Sequence, residues 1–235
     1  MPGAFSILAI LAIADHAAVA AAQRVTFRTD DGLMLAATWY EPASRPGPAV
    51  ILVHMLHRSR RDWEAVAQRL SSDGIGALAI DLRGHGESPG AGVVEGTAPD
   101  YTTMVLDVRG ARRYLSQRGD VQQSRVGMAG ASIGANLAAL AAGSEAIASL
   151  ALLSPSIDYR GLRIEAPLKK LNRPVLLVAG DDDPYASRTV RDLQKGAAGQ
   201  REVLVLREAG HGTMMFTRDS SLIGALVDWF RRTLL

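Results

Sequence analysis

The chain is 235 residues long, 48% hydrophobic and 21% charged, a globular balance that argues against a disordered chain or a multi-span membrane protein. It has no cysteine, which excludes disulfides, cysteine-ligated zinc, iron–sulfur clusters and a cysteine nucleophile. The net charge is +2, and the basic residues are almost all arginine (only Lys169, Lys170 and Lys195 are lysine) with no stripe along one face, so nucleic acid is not an expected partner.

Residues Ala4 to Ala14 form an apolar run of about 11 residues, too short to cross a bilayer. The small-residue triplets Ala18-Val19-Ala20 and Ala20-Ala21-Ala22 follow, as in a secretory leader, although no Lys or Arg precedes the run. The expectation is a leader over residues 1–22 and one domain over residues 23–235. This implies export to the periplasm or beyond, with no stable membrane span once the leader is removed. If the segment is instead an N-terminal helix packed on the domain, the protein stays in the cytoplasm.

From Val25 to Arg28 apolar and polar residues alternate, Asp30-Asp31-Gly32 supplies a turn, and Leu33 to Tyr40 reads as the second strand of a hairpin. After a proline-rich loop, Ala49 to His54 is a continuous apolar run, as in a strand covered on both faces. Helical spacing runs from Asp62 to Leu70, and Gly76 to Ile80 is another buried strand. Tyr101 to Leu115 is helical, Arg125 to Ala129 a strand and Ser132 to Ala142 a helix of small residues. Strands follow at Ala148 to Leu153, Pro174 to Ala179 and Glu202 to Leu206, with helices at Ser187 to Lys195 and Ser220 to Leu235. A hairpin followed by alternating strands and helices predicts a mostly parallel sheet with helices on both faces. The long irregular segments are 83–99 and 154–173, the kind of loop that often carries function.

Gly130-Ala131-Ser132-Ile133-Gly134 fits the pattern G-x-S-x-G, between a predicted strand (RVGMA) and a predicted helix (ANLAALAA). That setting is a nucleophile elbow, in which a sharp turn exposes the serine hydroxyl at a helix N-terminus. The alternative is an ordinary serine cap. A serine nucleophile needs a base, and His211 is the only histidine downstream, in a glycine-flanked loop after a strand. The orienting acid must lie between the two. Asp181, Asp182 and Asp183, after the strand PVLLVA, are the candidates, with Asp158 more distant. The N–H of Ile133, directly after the serine, is one expected oxyanion donor.

In order, VILVHMLHRSRRDW, IDLRGHGES, VGMAGASIGAN, LLVAGDDDPYA and EAGHGTMMF resemble the α/β-hydrolases over nearly everything from Arg24 onward. The resemblance implies an eight-stranded sheet with an N-terminal antiparallel hairpin. In that family the acid stands in G-x-x-D, which selects Asp183 and leaves Asp181 and Asp182 as solvated neighbours. A second oxyanion N–H comes from the loop after the strand AVILVH. The family has His-Gly-x there, whereas this chain has His54-Met55-Leu56. Position selects Leu56, with Met55 as fallback, and His54 is expected to hold the loop. The turn Asp81 to Ser88 is structural in the family.

Met55, His57, Met214 and Met215 are candidate pocket residues; core packing for the methionines and solvent exposure for His57 are the competing readings. Trp39, Trp63 and Trp229 read as core or interface. Residues 154–173 cannot hold a helical cap, so no large cap domain is expected and the site is open to small substrates. Short-chain carboxylesterase is the implied activity, close to dienelactone-hydrolase-like members, although those usually carry a cysteine nucleophile. Neither metal nor organic cofactor is implied, and the expected partner is a small ester. Thioesterase, peptidase and perhydrolase chemistry use the same residues. A hydrolase-fold binding protein without activity is the alternative of another class, supported by Met55 in place of glycine.

Overall fold

Alternate side chains of one central strand, β3 (Gly47–Val53), enter two different cores. Ala49, Ile51 and Val53 pack with helices α2 (Val105–Ser116), α3 (Ile133–Ala142) and α5 (Pro184–Gln194) on one face. Val50 and Leu52 pack with α1 (Glu64–Ser72) and α7 (Ser221–Leu234) on the other. Every residue of β3 is buried, which explains its unbroken apolar run. The computed structural model describes residues 22–90 and 100–235. The expected leader therefore lies, up to residue 21, outside the described residues, as do residues 91–99 of the first irregular segment. Its last residue, Ala22, begins β1 (Ala22–Arg28) and pairs with Tyr40.

Among the described residues eight strands form one sheet in the order β1-β2-β4-β3-β5-β6-β9-β10. The remaining members are β2 (Met34–Tyr40), β4 (Gly76–Ile80), β5 (Val121–Ala131), β6 (Ser149–Leu153), β9 (Val175–Gly180) and β10 (Arg201–Leu206). β1 runs antiparallel to β2 and β2 antiparallel to β4, and every later pairing is parallel. This is the mostly parallel sheet with an N-terminal hairpin that the sequence predicts.

The segment between β6 and β9 is more ordered than its sequence suggests. It forms a two-stranded hairpin, β7 (Asp158–Tyr159) with β8 (Leu162–Arg163), and the six-residue helix α4 (Glu165–Lys170). No large cap rises from it. Trp39, Trp63 and Trp229 are all fully buried and belong to the core.

The turn after β4 is built on buried charge. The Asp81 carboxylate accepts the Arg60 N–H at 2.7 Å and the Glu87 N–H at 2.9 Å, and it pairs with the Arg60 guanidinium. Arg83 is held by Asp107 through its N–H at 2.9 Å and its Nε at 2.8 Å. Ser88 Oγ donates to the Asp81 carbonyl and accepts the Ala36 N–H. These bonds fix the loop next to the β3 end.

Candidate active site

Strand register brings the first two functional segments together. In the β3–β5 pairing Val53 lies opposite Gly130, so the chain leaving β3 and the chain leaving β5 emerge side by side at one sheet edge. There Ser132 adopts φ 54° and ψ −120°, the left-handed half of conformational space that a residue with a Cβ rarely enters. The flanking glycines make this turn possible. A Cβ on Gly130 would overlap the Gly134 carbonyl, and one on Gly134 would lie 2.5 Å from the carbonyl oxygens of Val53 and His54. The sharp turn read from G-x-S-x-G is therefore present, with Ser132 at its apex and α3 beginning at Ile133. As the first residue of that helix, Ile133 has an N–H without an intrahelical acceptor.

His211 follows β10 and closes a hydrogen-bonded chain. Its Nε2 lies 2.9 Å from Ser132 Oγ, and its Nδ1 lies 2.5 Å from Asp183 Oδ2. Asp183 is also the cap of α5, where its other oxygen accepts the Ala186 N–H at 3.1 Å and Pro184 occupies the first turn. One carboxylate thus ends a helix and orients an imidazole. The structure brings Ser132, His211 and Asp183 together from the ends of β5, β10 and β9.

The other candidate acids have different partners. Asp181 and Asp182 are exposed, as solvated neighbours should be, but each also binds the backbone: Asp181 accepts the Glu208 N–H at 2.7 Å, and Asp182 accepts the Gly210 N–H at 2.8 Å and pairs with Arg218. Adjacent carboxylates here clamp the backbone that carries His211. Asp158 sits in the β7–β8 hairpin, bound to Arg163 and the Gly161 N–H. Sequence reasoning also missed Ser154, whose buried hydroxyl accepts the Gly212 N–H at 3.0 Å.

The loop after β3 makes a tight turn closed by the Arg58 N–H on the Met55 carbonyl at 3.2 Å. Its left-handed residue is His57, at φ 59°, so the turn does not require glycine at position 55. Leu56 lies within this turn, half-buried beside the core. The Met55 sulfur reaches the His211 loop: a Cβ on Gly212 would lie 2.9 Å from it and 3.7 Å from Ser132 Cβ. Of the other pocket candidates, His57 and Met214 are exposed. Met215, the first residue of the short helix α6 (Met215–Arg218), is fully buried with Leu222 and Trp229 and is a core residue, a correction of its reading as a pocket residue. Neighbours on a helical turn point about 100° apart, so Met214 and Met215 face opposite environments.

His54 is fully buried behind this loop. Its Nδ1 donates to the Met55 carbonyl at 2.7 Å and its Nε2 accepts the Leu82 N–H at 3.0 Å, which requires the neutral ring. Burial lowers its pKa to about 4. As pH falls from 6.5, the unfolded chain takes up a proton here that the folded protein refuses until about pH 4, so folding loses stability over that window. Between pH 7 and pH 5 this costs about 2 kcal/mol. Urea unfolding of the wild type and His54→Gln at both pH values checks it. The wild type is expected to lose about 2 kcal/mol more than the variant, and equal losses would contradict the assignment.

The family model described as serine aminopeptidase, S33 (Hydrolase_4) matches residues 44–164, which include Ser132 but end before Asp183 and His211. An uncharacterized protein of Mycobacterium tuberculosis is 29% identical over 216 residues, covering 81% of this chain and 73% of that one. A probable 2-oxo-3-(5-oxofuran-2-ylidene)propanoate lactonase of a Bradyrhizobium species is 28% identical over 188 residues, covering 74% of this chain and 76% of its own. Among solved structures, the dienelactone hydrolase of Anabaena variabilis superposes with a TM-score of 0.76 at 19% identity, over 92% of this chain and 100% of that one. The esterase Pf2001 of Pyrococcus furiosus gives 0.73 at 18% identity, over 92% and 94%. The structural likeness shows the fold, and with the family match it places this chain in the Hydrolase_4 (serine aminopeptidase, S33) family of α/β-hydrolases, as a hydrolase.

Proposed function

We propose that this hydrolase is a serine carboxylesterase that cleaves small esters through Ser132, His211 and Asp183. The observation that carries the reading is the unbroken hydrogen-bonded chain from Ser132 Oγ through His211 to Asp183, on a serine strained into the left-handed region. His211 Nε2 takes the serine proton as Oγ attacks the ester carbonyl, and Asp183 holds the ring with its other proton on Nδ1 and stabilises the imidazolium. The N–H groups of Ile133 and Leu56 face the developing oxyanion; one such donor is typically worth about 100- to 1,000-fold in rate. His211 returns the proton to the departing alcohol. It then activates a water that hydrolyses the acyl-enzyme and regenerates Ser132.

Support for a small substrate comes from the segment between β6 and β9, whose short hairpin and six-residue helix are too small to form a cap domain. The Met55 sulfur supplies apolar surface beside Ser132 and the His211 loop. The Bradyrhizobium relative is described as a lactonase, which cleaves a cyclic ester, and this favours ester over amide substrates. The family description, serine aminopeptidase, favours a second reading as a peptidase. A panel of p-nitrophenyl esters, thioesters and aminoacyl p-nitroanilides separates the two, with the esters expected to turn over fastest. A fluorophosphonate probe is expected to label the wild type at Ser132. A folded wild-type protein that takes no label would overturn the reading in favour of a binding protein.

A further inference from the structure

Asp62 precedes α1 in a 3-10 turn, Arg60–Trp63, and its side chain is 11% exposed. One of its oxygens accepts the Thr213 hydroxyl at 2.5 Å, across 151 positions of sequence. The same oxygen accepts Arg58 Nε at 2.9 Å, and the other lies 3.2 Å from that nitrogen. Thr213 is buried and stands two residues after His211. Arg58 closes the turn that contains Met55 and Leu56. A single carboxylate therefore holds both the loop that carries the base and the turn that carries the second oxyanion donor.

Each loop has its own further anchors. The His211 loop is bound to Asp181, Asp182 and Ser154, and the donor turn to His54. Among the described residues, Asp62 is the side chain that hydrogen-bonds to both. The distinction matters because an ester carbonyl undergoing attack must meet base and oxyanion donors at once. Anchors that fix each loop separately do not fix the gap between them.

We propose that Asp62 is a positioning residue that sets the separation of the His211 loop and the donor turn, acting through Thr213 and Arg58. The inference rests on the proposed roles of Ser132, His211 and the Leu56 N–H. Loss of the bridge leaves the substrate pocket in place but misaligns the groups used in the transition state, so kcat falls while KM stays. A displacement of about 1 Å in such a site costs about 100-fold in rate.

The test uses p-nitrophenyl acetate hydrolysis, with active enzyme counted by fluorophosphonate labelling and folding followed by thermal melting. Asp62→Ala and Thr213→Val are each expected to lower kcat about 10- to 100-fold with KM within about threefold. Thr213→Ser, which keeps the hydroxyl, is expected to stay within about twofold of wild type. In the Asp62→Ala background, Thr213→Val is expected to add nothing further, since both act through one bond. An unchanged kcat in Asp62→Ala, full additivity in the double variant, or a Thr213→Ser as slow as Thr213→Val would each overturn the proposal. If Asp62→Ala does not fold, Arg58→Ala and Thr213→Val carry the comparison, and wild-type kcat in both overturns it. Failure of the catalytic reading looks different: Ser132→Ala would retain the wild-type rate, or the wild type would take no label.

Discussion

Replacing Ser132 with alanine is expected to lower kcat for p-nitrophenyl acetate by on the order of 10⁶-fold, the scale found when the serine of a comparable triad is removed. Folding should hardly change. Alanine occupies φ 54° at the same steric cost as serine, and among the described residues the side-chain hydrogen bond lost is the part-buried one to His211. Ser132→Gly separates the two consequences of the elbow. It removes the same hydroxyl but relieves a left-handed conformation that costs about 1–3 kcal/mol in a residue with a Cβ. Part of that gain is offset by the greater entropy of glycine in the unfolded chain, leaving a net stabilisation of about 1 kcal/mol. An inactive Ser132→Gly that melts above the wild type is thus the expected outcome, read by calorimetry beside an esterase assay. Either variant retaining more than about 1% of wild-type activity would remove Ser132 from the chemistry.

The parts of the fold that follow from sequence are those with a strong period or a rigid chemical requirement. Gly76–Ile80 is bounded by glycine and an aspartate and is apolar throughout, and the strand occupies those residues. The elbow is legible because two glycines are demanded by backbone contacts that any Cβ would violate. The β7–β8 hairpin is not legible: two-residue strands are too short to show alternation, and Arg160 takes a left-handed turn position usually held by Asn, Asp or Gly. Helix α4 is obscured by Pro167, which sits in its first turns, where a missing N–H costs little. Asp181, Asp182 and Asp62 share one difficulty. Each binds a backbone or hydroxyl group 27, 28 or 151 positions away, so no local pattern reveals that long-range role, even though Asp62 also pairs with Arg58 four positions before it.

The three consecutive aspartates give the other large effect, because the geometry assigns each a different partner. Asp183→Asn is expected to lower kcat by about 10⁴-fold near neutral pH, as when the acid of a serine-protease triad becomes an amide. The amide oxygen can still accept the Ala186 N–H and cap α5, so the fold is kept. Its NH₂ then faces His211 Nδ1 and donates to it. The ring is driven to the tautomer with its proton on Nε2, where it cannot take the proton of Ser132. Asp181→Asn and Asp182→Asn behave differently, since each retains an oxygen for the Glu208 or Gly210 N–H. The ion pair that Asp182 loses to Arg218 is partly exposed and worth about 1 kcal/mol at most. Both are therefore expected to stay within about tenfold of wild-type kcat. Steady-state kinetics on the three variants ranks them directly. A larger loss at position 181 or 182 than at 183 would mean that the imidazole is oriented by a different carboxylate from the one 2.5 Å away.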